Sequence, residues 1–220
     1  MKTVQKMGGL AALIEAFAYI FGIAVGFTAL APYMDGQLNP LETVAFMVEN
    51  QSILYIWNQI IYVLFGIVLV VLALALYQRL QKGSPALSQT AAVFGFIWAG
   101  LVIASGMIFN ISLETVVGLA SSAPEEAAAI LQSVSVVQDA MGGGNEIVGG
   151  VWVLLISWAA LTTGGLPKVL NYYGLLIGLA GAVTIVPGLG DVGLIFGLGQ
   201  ILWFIGVGVA LLRSPSVEVA

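Results

Sequence analysis

The chain has 220 residues, of which 60% are hydrophobic and only 8% are charged, and its mean hydropathy is +1.07. This composition excludes a soluble globular protein and indicates a polytopic membrane protein. The net charge of −5 argues against nucleic acid as a partner, and the absence of Cys and His removes the usual ligands of haem, iron–sulfur clusters and copper, so we expect no metal site and no cofactor.

Six apolar stretches are long enough to cross a membrane as helices, which requires about 20 residues each. They occupy residues 8–31, 53–77, 89–111, 144–163, 169–187 and 192–212. The sequence therefore predicts an all-α integral membrane bundle with six transmembrane helices, forming a single transmembrane domain over residues 1–220. Because the number of spans is even, both termini should lie on the same side of the membrane.

The first predicted span contains an acidic residue, Glu15, about seven residues or 10 Å inside it. A carboxylate that faces lipid at this depth costs on the order of 2–3 kcal/mol, so the side chain should turn inward, pair or carry a proton. Tyr19 lies one turn further along the same face, where it can donate a hydrogen bond to Glu15. The two residues are candidates for a proton- or cation-binding site. The alternative is an acid near the membrane interface that Tyr19 and water solvate.

Two short amphipathic helices are predicted in the connections on the side opposite the termini. Asn39-Pro40-Leu41-Glu42 combines a capping residue, Pro at the first helical position and Glu at the third. Ser122-Ala123-Pro124-Glu125 begins the second helix, in which apolar residues recur at steps of three and four. The run Gly142-Gly143-Gly144 should end it. We expect the first helix to lie over the outer surface, and the second to lie in the interface or cover the bundle.

Polar residues recur at a similar depth near one end of spans two, three and four. They are Asn58, Gln59, Asn110, Asn145 and Glu146. Because polar groups in lipid must find partners within the protein, these side chains should form one layer. We favour a hydrogen-bonded contact that holds the helices together, and the alternative is a pocket with Glu146 as its charged member. Trp57 and Trp152 lie near the layer and would wall such a pocket.

Charge is distributed unequally between the two sides of the predicted bundle. All six basic residues fall on the side of the termini, namely Lys2, Lys6, Arg79, Lys82, Lys168 and Arg213. Eight of the eleven acidic residues fall on the other side, namely Asp35, Glu42, Glu49, Glu114, Glu125, Glu126, Asp139 and Asp191. Because Lys and Arg mark the cytoplasmic side, we expect both termini in the cytoplasm and multi-pass insertion in the cell inner membrane.

Three segments carry a resemblance to a known family. They are the run from Gly143 through Asn145-Glu146 and Trp152 to Leu155, the Pro85-Ala86-Leu87 turn, and the run from Gly100 to Met107. Together they resemble an uncharacterised bacterial family of polytopic membrane proteins, one of the families defined by a domain of unknown function. The resemblance extends over most of the chain and implies a helical membrane fold. It implies no substrate, cofactor or catalytic residue.

No nucleophile–base pair and no cluster of metal ligands can be assembled from the predicted spans, so we expect no catalytic residue and no enzymatic activity. The sequence favours a protein that binds or passes a small molecule or a proton at a polar site between helices. The alternative is a structural or accessory protein whose polar layer only stabilises the bundle and whose acidic exterior face contacts a partner protein. Membrane lipid is an expected partner, and the oligomeric state stays open.

Overall fold

The computed structural model describes residues 2–138, 140–141 and 146–213. Within these residues, six helical stretches are long and apolar enough to cross a membrane, as predicted. Their bounds are Thr3–Gly26, Gln51–Leu80, Pro85–Leu119, Glu146–Thr163, Lys168–Ile185 and Gly190–Arg213. The described part of the chain contains no strand, so the predicted all-α membrane bundle is confirmed.

Ten α-helices make up these spans and their connections within the described residues. In chain order they are α1 (Lys2–Gly26), α2 (Ala31–Met34), α3 (Pro40–Glu49), α4 (Gln51–Asn58), α5 (Phe65–Leu80), α6 (Pro85–Leu119), α7 (Pro124–Gln138), α8 (Glu146–Thr163), α9 (Lys168–Ala182) and α10 (Gly193–Arg213). A π-helical turn, Gln59–Leu64, joins α4 to α5 within the second span. The tight turn predicted between the last two spans contains Gly188 at φ +87°, a left-handed conformation that glycine adopts without strain.

Two spans, the first and the third, differ from the prediction by five residues or more at an end. The first begins five residues earlier than predicted and ends at Gly26 rather than at residue 31, because the chain turns there into α2, which has Pro32 in its first turn. The third runs for 35 residues, or about 52 Å at 1.5 Å per residue, which exceeds the ~30 Å hydrocarbon core of a membrane. Its far end therefore extends beyond the bilayer and supports the connecting helices.

The six membrane helices form a closed ring in the order α1, α5, α6, α8, α9, α10 and back to α1. Helices α8 and α9 approach each other most closely, since a Cβ placed on Gly150 would lie 2.5 Å from the backbone N of Ala182 and 2.7 Å from the carbonyl O of Gly178. Lipid supplies no hydrophobic drive between helices, and glycines permit the close van der Waals packing that replaces it.

Aromatic side chains fill the centre of the ring, and we call them the aromatic core. They are Tyr19, Phe65, Trp98, Trp152, Phe196, Trp203 and Phe204, and the ring centroids of neighbouring members are 5.4–6.5 Å apart. Most of these pairs are edge-on or tilted, which is the favourable arrangement for aromatic rings. The core holds α1, α5, α6, α8 and α10 around one centre.

Both predicted connecting helices are confirmed. In α3, Asn39 Oδ1 accepts hydrogen bonds from the backbone amides of Leu41 and Glu42, while Glu42 Oε2 accepts one from the Asn39 amide at 2.8 Å, so the capping box is complete. Helix α7 packs Leu131 against α3 and the far end of α6, in a second apolar cluster. The glycine run predicted to end it, Gly142-Gly143-Gly144, lies outside the described residues.

Basic residues gather at the end of the bundle where α1 begins and α10 ends. There Arg79 of α5 donates from Nε to the Gly165 carbonyl O at 2.5 Å and from Nη1 to Gln5 Oε1 at 3.3 Å. Gln5 in turn donates to the Ala75 carbonyl O at 3.0 Å. These bonds tie α1, α5 and the α8–α9 connection together at what we call the termini end. That this end faces the cytoplasm stays a prediction.

Candidate functional site

A cleft of about 310 Å³ opens between the helices in the half of the bundle away from the termini. Seven aromatic residues line it, namely Tyr19, Phe27, Trp57, Tyr62, Phe65, Trp98 and Phe196. The remaining lining is aliphatic or glycine except for one carboxylate, Glu146. An apolar, concave site of this size with few polar groups is the usual form of a small-molecule site.

Glycine residues, which have no side chain, leave part of this space open. A Cβ on Gly26 would meet only Met34 Cγ, at 3.7 Å, and one on Gly197 would meet only Tyr19 Cε1, at 4.0 Å. Both residues line the cleft. At the termini end the situation is reversed, because a Cβ on Gly9 would lie 2.7 Å from Leu212 Cγ. Helices α1 and α10 are therefore packed tightly at one end and leave room at the other.

The π-helical turn shapes the opposite wall. It carries Ile61 and Tyr62, both of which line the cleft, and the Cβ of Tyr62 lies where a side chain on Gly106 of α6 would have to go. An extra residue in a helical turn changes the direction of the side chains that follow it, and such turns are frequent at functional sites. The next residue in the wall, Phe65, begins α5.

Glu146 stands in the first turn of α8, half-buried at the edge of the cleft. Its side chain packs on the beginning of α10, where a Cβ on Gly193 would lie 3.0 Å from Glu146 Cδ. The positive end of the helix dipole favours a negative charge in a first turn. Glu146 thus gives an otherwise aromatic cleft one acidic group, and no basic residue lines the cleft with it.

Glu15 lies deeper than the sequence predicted. Because the first span begins at Thr3, Glu15 is the thirteenth of its 24 residues, about 18 Å of helix rise from the start rather than 10 Å. The side chain is 0% exposed, and neither carboxylate oxygen has a hydrogen-bond partner among the described residues. The expectation that it turns inward is confirmed, but an acid near the interface is not what the structure shows.

The expected hydrogen bond from Tyr19 to Glu15 is not formed. Side chains on a helix lean toward its N-terminus, so Glu15 leans away from Tyr19. The ring of Tyr19 packs against Phe65 and Phe204 instead, with centroid distances of 5.6 and 6.2 Å. Tyr19 consequently separates the cleft, which it lines, from Glu15 one turn below.

Three residues of the predicted polar layer meet and form what we call the amide cluster. Asn58, which is fully buried, donates from Nδ2 to the Gly106 carbonyl O and to Asn110 Oδ1, both at 2.8 Å. Asn110 Nδ2 donates to Gln59 Oε1 at 3.1 Å. The cluster joins α4 and the π-helical turn to α6, and none of its three amide side chains lines the cleft.

The whole sequence was compared with protein families, curated proteins and solved structures. Residues 8–212 match the family described as a domain of unknown function, DUF4386. The chain belongs to the DUF4386 family. No curated protein and no solved structure matches it. The family resemblance inferred from sequence is confirmed, and it assigns no residue of this DUF4386 protein to an activity.

The remaining predicted site residues of this DUF4386 chain fall in different places. Asn145 lies outside the described residues. Glu146 belongs to the cleft and takes no part in the hydrogen bonds of the amide cluster. Trp152 does not line the cleft but is fully buried in the aromatic core, 5.7 Å from Trp98 and 5.5 Å from Trp203 between ring centroids. The expected single layer is therefore divided between a cluster and a cleft.

Sequence reasoning missed two kinds of residue. The cleft-lining Tyr62, Phe65 and Phe196 carry no signal that separates them from ordinary apolar packing residues. Gln200, however, is 0% exposed in the middle of the last span, and neither atom of its amide has a hydrogen-bond partner among the described residues. The argument that identified Glu15, a polar side chain deep in an apolar run, would also have identified Gln200.

Proposed function

We propose that this protein binds a small, largely apolar molecule within the membrane, at the cleft, without acting as an enzyme. The observation that supports the proposal most directly is the composition of the cleft. Seven aromatic side chains surround about 310 Å³, and Glu146 is the one acidic or basic residue among the described residues that line it. Ligand sites in proteins commonly enclose 300–1,000 Å³ and combine apolar walls with a few polar groups.

The charge and the rings together favour a ligand with a positively charged group. Aromatic faces attract organic cations, by about 0.5–2 kcal/mol per ring according to how far the site is desolvated. Glu146 contributes a carboxyl group at the edge of the same cleft, and its ionised form would attract a cation. An organic anion would meet both the carboxylate and the negative faces of the rings. We therefore propose an organic cation with an apolar body as the preferred class of ligand.

The polar groups of the cleft also support a binding role rather than catalysis. The Trp57 indole N–H is already engaged, since it donates to the Gly22 carbonyl O at 3.1 Å. Among the described residues no group of three Asp or Glu side chains comes close enough to hold a metal ion. The lining contains no Ser, Thr or Lys that could act as a nucleophile. We further propose the inner membrane of a bacterial cell as the location, with the termini end in the cytoplasm.

Binding of tetraphenylphosphonium and of tetraphenylborate, two ions of similar size and opposite charge, tests this proposal. The protein would be placed in lipid nanodiscs, and empty nanodiscs would measure partition into lipid. We expect saturable binding of the cation and weaker binding of the anion. Glu146→Gln should reduce the difference between the two ions by about tenfold, which corresponds to 1.4 kcal/mol.

A pair of glycine variants supplies the control for site specificity. Gly197→Leu places a side chain in the cleft and should abolish saturable binding. Gly100→Leu adds the same group on an exposed face of α6, where no atom lies within 4 Å of the new Cβ, and should leave binding unchanged. Equal binding by the parent protein and by Gly197→Leu would overturn the proposal and favour the structural or accessory role.

A further inference from the structure

The buried carboxyl group of Glu15 makes no hydrogen bond with the described residues that would stabilise the bundle. It lies at the middle of the first span, is 0% exposed, and makes no hydrogen bond to any described residue. A side chain that makes no bond stabilises nothing, and an apolar residue of the same size would cost less to bury. An ionisable group at such a position in a membrane protein indicates a functional site.

The register of the neighbouring helices places the described basic residues of α5 and α10 well away from the level of Glu15. Gly8 faces Ala75 and Gly22 faces Ile61, so residue 15 of α1 lies opposite residue 68 of the antiparallel α5. Arg79 is eleven residues beyond that level, or about 16 Å. On α10, Gly9 faces Leu212 and Leu13 faces Gly208, so Glu15 lies opposite residue 206. Arg213 is seven residues beyond it, or about 10 Å.

Apart from Lys6, the other ionisable side chains on the elements around Glu15 are acidic or phenolic. On the described parts of α1, α2, α4, the π-helical turn and α5, and across the cleft on α8, they are Lys6, Tyr19, Tyr33, Tyr55, Tyr62, Tyr77 and Glu146. Lys6 lies nine residues before Glu15, or about 13 Å along the same helix. A carboxylate without donors or a nearby cation is unfavourable in this interior, so the carboxyl group must be neutral.

A metal cation does not fit this position. Sodium, magnesium and calcium require several oxygen ligands around the ion, whereas among the described residues Glu15 has no hydrogen-bond partner and belongs to no group of three or more carboxylates. A proton needs only one oxygen. The chemistry of the position therefore selects a proton as the ligand of Glu15.

The cleft supplies the route by which such a proton can exchange. Tyr19 lines the floor of the cleft and lies one helical turn from Glu15 on the same face of α1. The boundary of the cleft therefore lies about one helical turn along α1 from Glu15. In the opposite direction, α1 packs closely on α5 and α10, as the glycine contacts at Gly8 and Gly9 show.

We propose that Glu15 is a proton-binding site in the middle of the membrane and that its proton exchanges through the cleft, past Tyr19. In this exchange the carboxyl O–H bond breaks, the electron pair stays on the carboxylate oxygen, and the proton passes to water. The proposal does not depend on which molecule the cleft binds. It adds a proton to the species that this protein handles.

Infrared spectroscopy of the protein in lipid nanodiscs tests both parts of the proposal. At neutral pH we expect a carboxylic C=O stretching band that Glu15→Gln loses, that Glu15→Asp shifts without removing, and that Glu146→Gln retains. Transfer to D2O should shift the band as the proton is replaced. If no band distinguishes the parent from Glu15→Gln and Glu15→Asp, the carboxyl group is ionised and the proposal is wrong.

The route is tested by the rate of the shift in D2O. Gly197→Leu, which fills the cleft, should slow the exchange at Glu15 by about tenfold or more, because exchange of a buried group requires the opening that the new side chain obstructs. Gly100→Leu should exchange at the parent rate. Equal rates in all three proteins would overturn exchange through the cleft. These readouts involve no ligand, so failure of tetraphenylphosphonium to bind would not affect them.

Discussion

Replacing Asn58 by Leu distinguishes a structural amide cluster from a binding pocket. The substitution removes the Nδ2 donor, which bonds the Gly106 carbonyl O and Asn110 Oδ1 at 2.8 Å each. The Gly106 carbonyl lies within the continuous helix α6, where it is also a helical acceptor, so its loss is partial. Asn110 Oδ1 loses the one hydrogen bond that it accepts from the described residues. Leucine restores most of the packing volume, because the two side chains are similar in size.

The magnitude follows from these two bonds. Hydrogen bonds between membrane helices contribute about 0.6 kcal/mol on average and up to about 1.7 kcal/mol each. Loss of two should therefore lower the free energy of unfolding by about 1–3 kcal/mol. The third bond of the cluster, from Asn110 to Gln59, can persist. The amide cluster should therefore be weakened but not lost.

Unfolding by sodium dodecyl sulfate in mixed micelles measures this change. A double-mutant cycle with Asn110→Leu isolates the Asn58–Asn110 pair, for which we expect a coupling of about 0.6–1.7 kcal/mol. Binding of tetraphenylphosphonium should be unaltered, since neither side chain lines the cleft. The reasoning is refuted if Asn58→Leu is as stable as the parent protein, or if it loses binding while its stability is retained.

Three further predictions follow from packing, charge and topology. Gly150→Ala should destabilise the protein by about 1–3 kcal/mol in the same unfolding assay, because its Cβ would meet only backbone atoms that cannot yield, whereas Gly100→Ala should be neutral. Glu15→Lys should lower the thermal unfolding temperature and the yield of folded protein, because a charged ammonium costs about 3 kcal/mol at a membrane centre; a variant as stable as the parent would show that residue 15 reaches water. Single cysteines at Gln81 and at Ser133 should react with an impermeant maleimide from opposite sides of intact cells, and labelling of both from outside would contradict the six-span topology.

Local patterns in the sequence were sufficient to predict the helices. Each span is set by its own apolar length, and each connecting helix by capping residues within four positions of its start. Asn39 and Glu42 form their capping box as predicted because both partners lie in the same turn. The boundaries were less accurate. The first span ends at Gly26 because the chain reverses into α2 there, and apolar composition continues through the reversal.

The candidate site depends on contacts between segments that are distant in the sequence. The periodicity of apolar residues does not predict such contacts. The contact between Asn58 and Asn110 could be predicted because residues at the same depth on adjacent antiparallel helices lie close together. Depth alone says nothing of which face a residue occupies. Glu146 shares the depth of the amide cluster but faces α10 and the cleft, and Trp152 faces the aromatic core. Those directions follow from the closed order of helices in the ring, which becomes known only from the structure.

Glycines on α1 and α10 have opposite consequences at the two ends of the bundle. Glycine permits close helix packing, and at the termini end Gly9 has this effect, since it admits Leu212 of α10. At the other end, a Cβ placed on Gly26 or on Gly197 would have only one side-chain atom of another residue within 4 Å. A protein that needed only a stable bundle would gain dispersion energy by filling that space with a larger side chain. The cleft persists because α1 and α10 pack closely at the termini end and leave room between them at the other end, over a floor of aromatic residues.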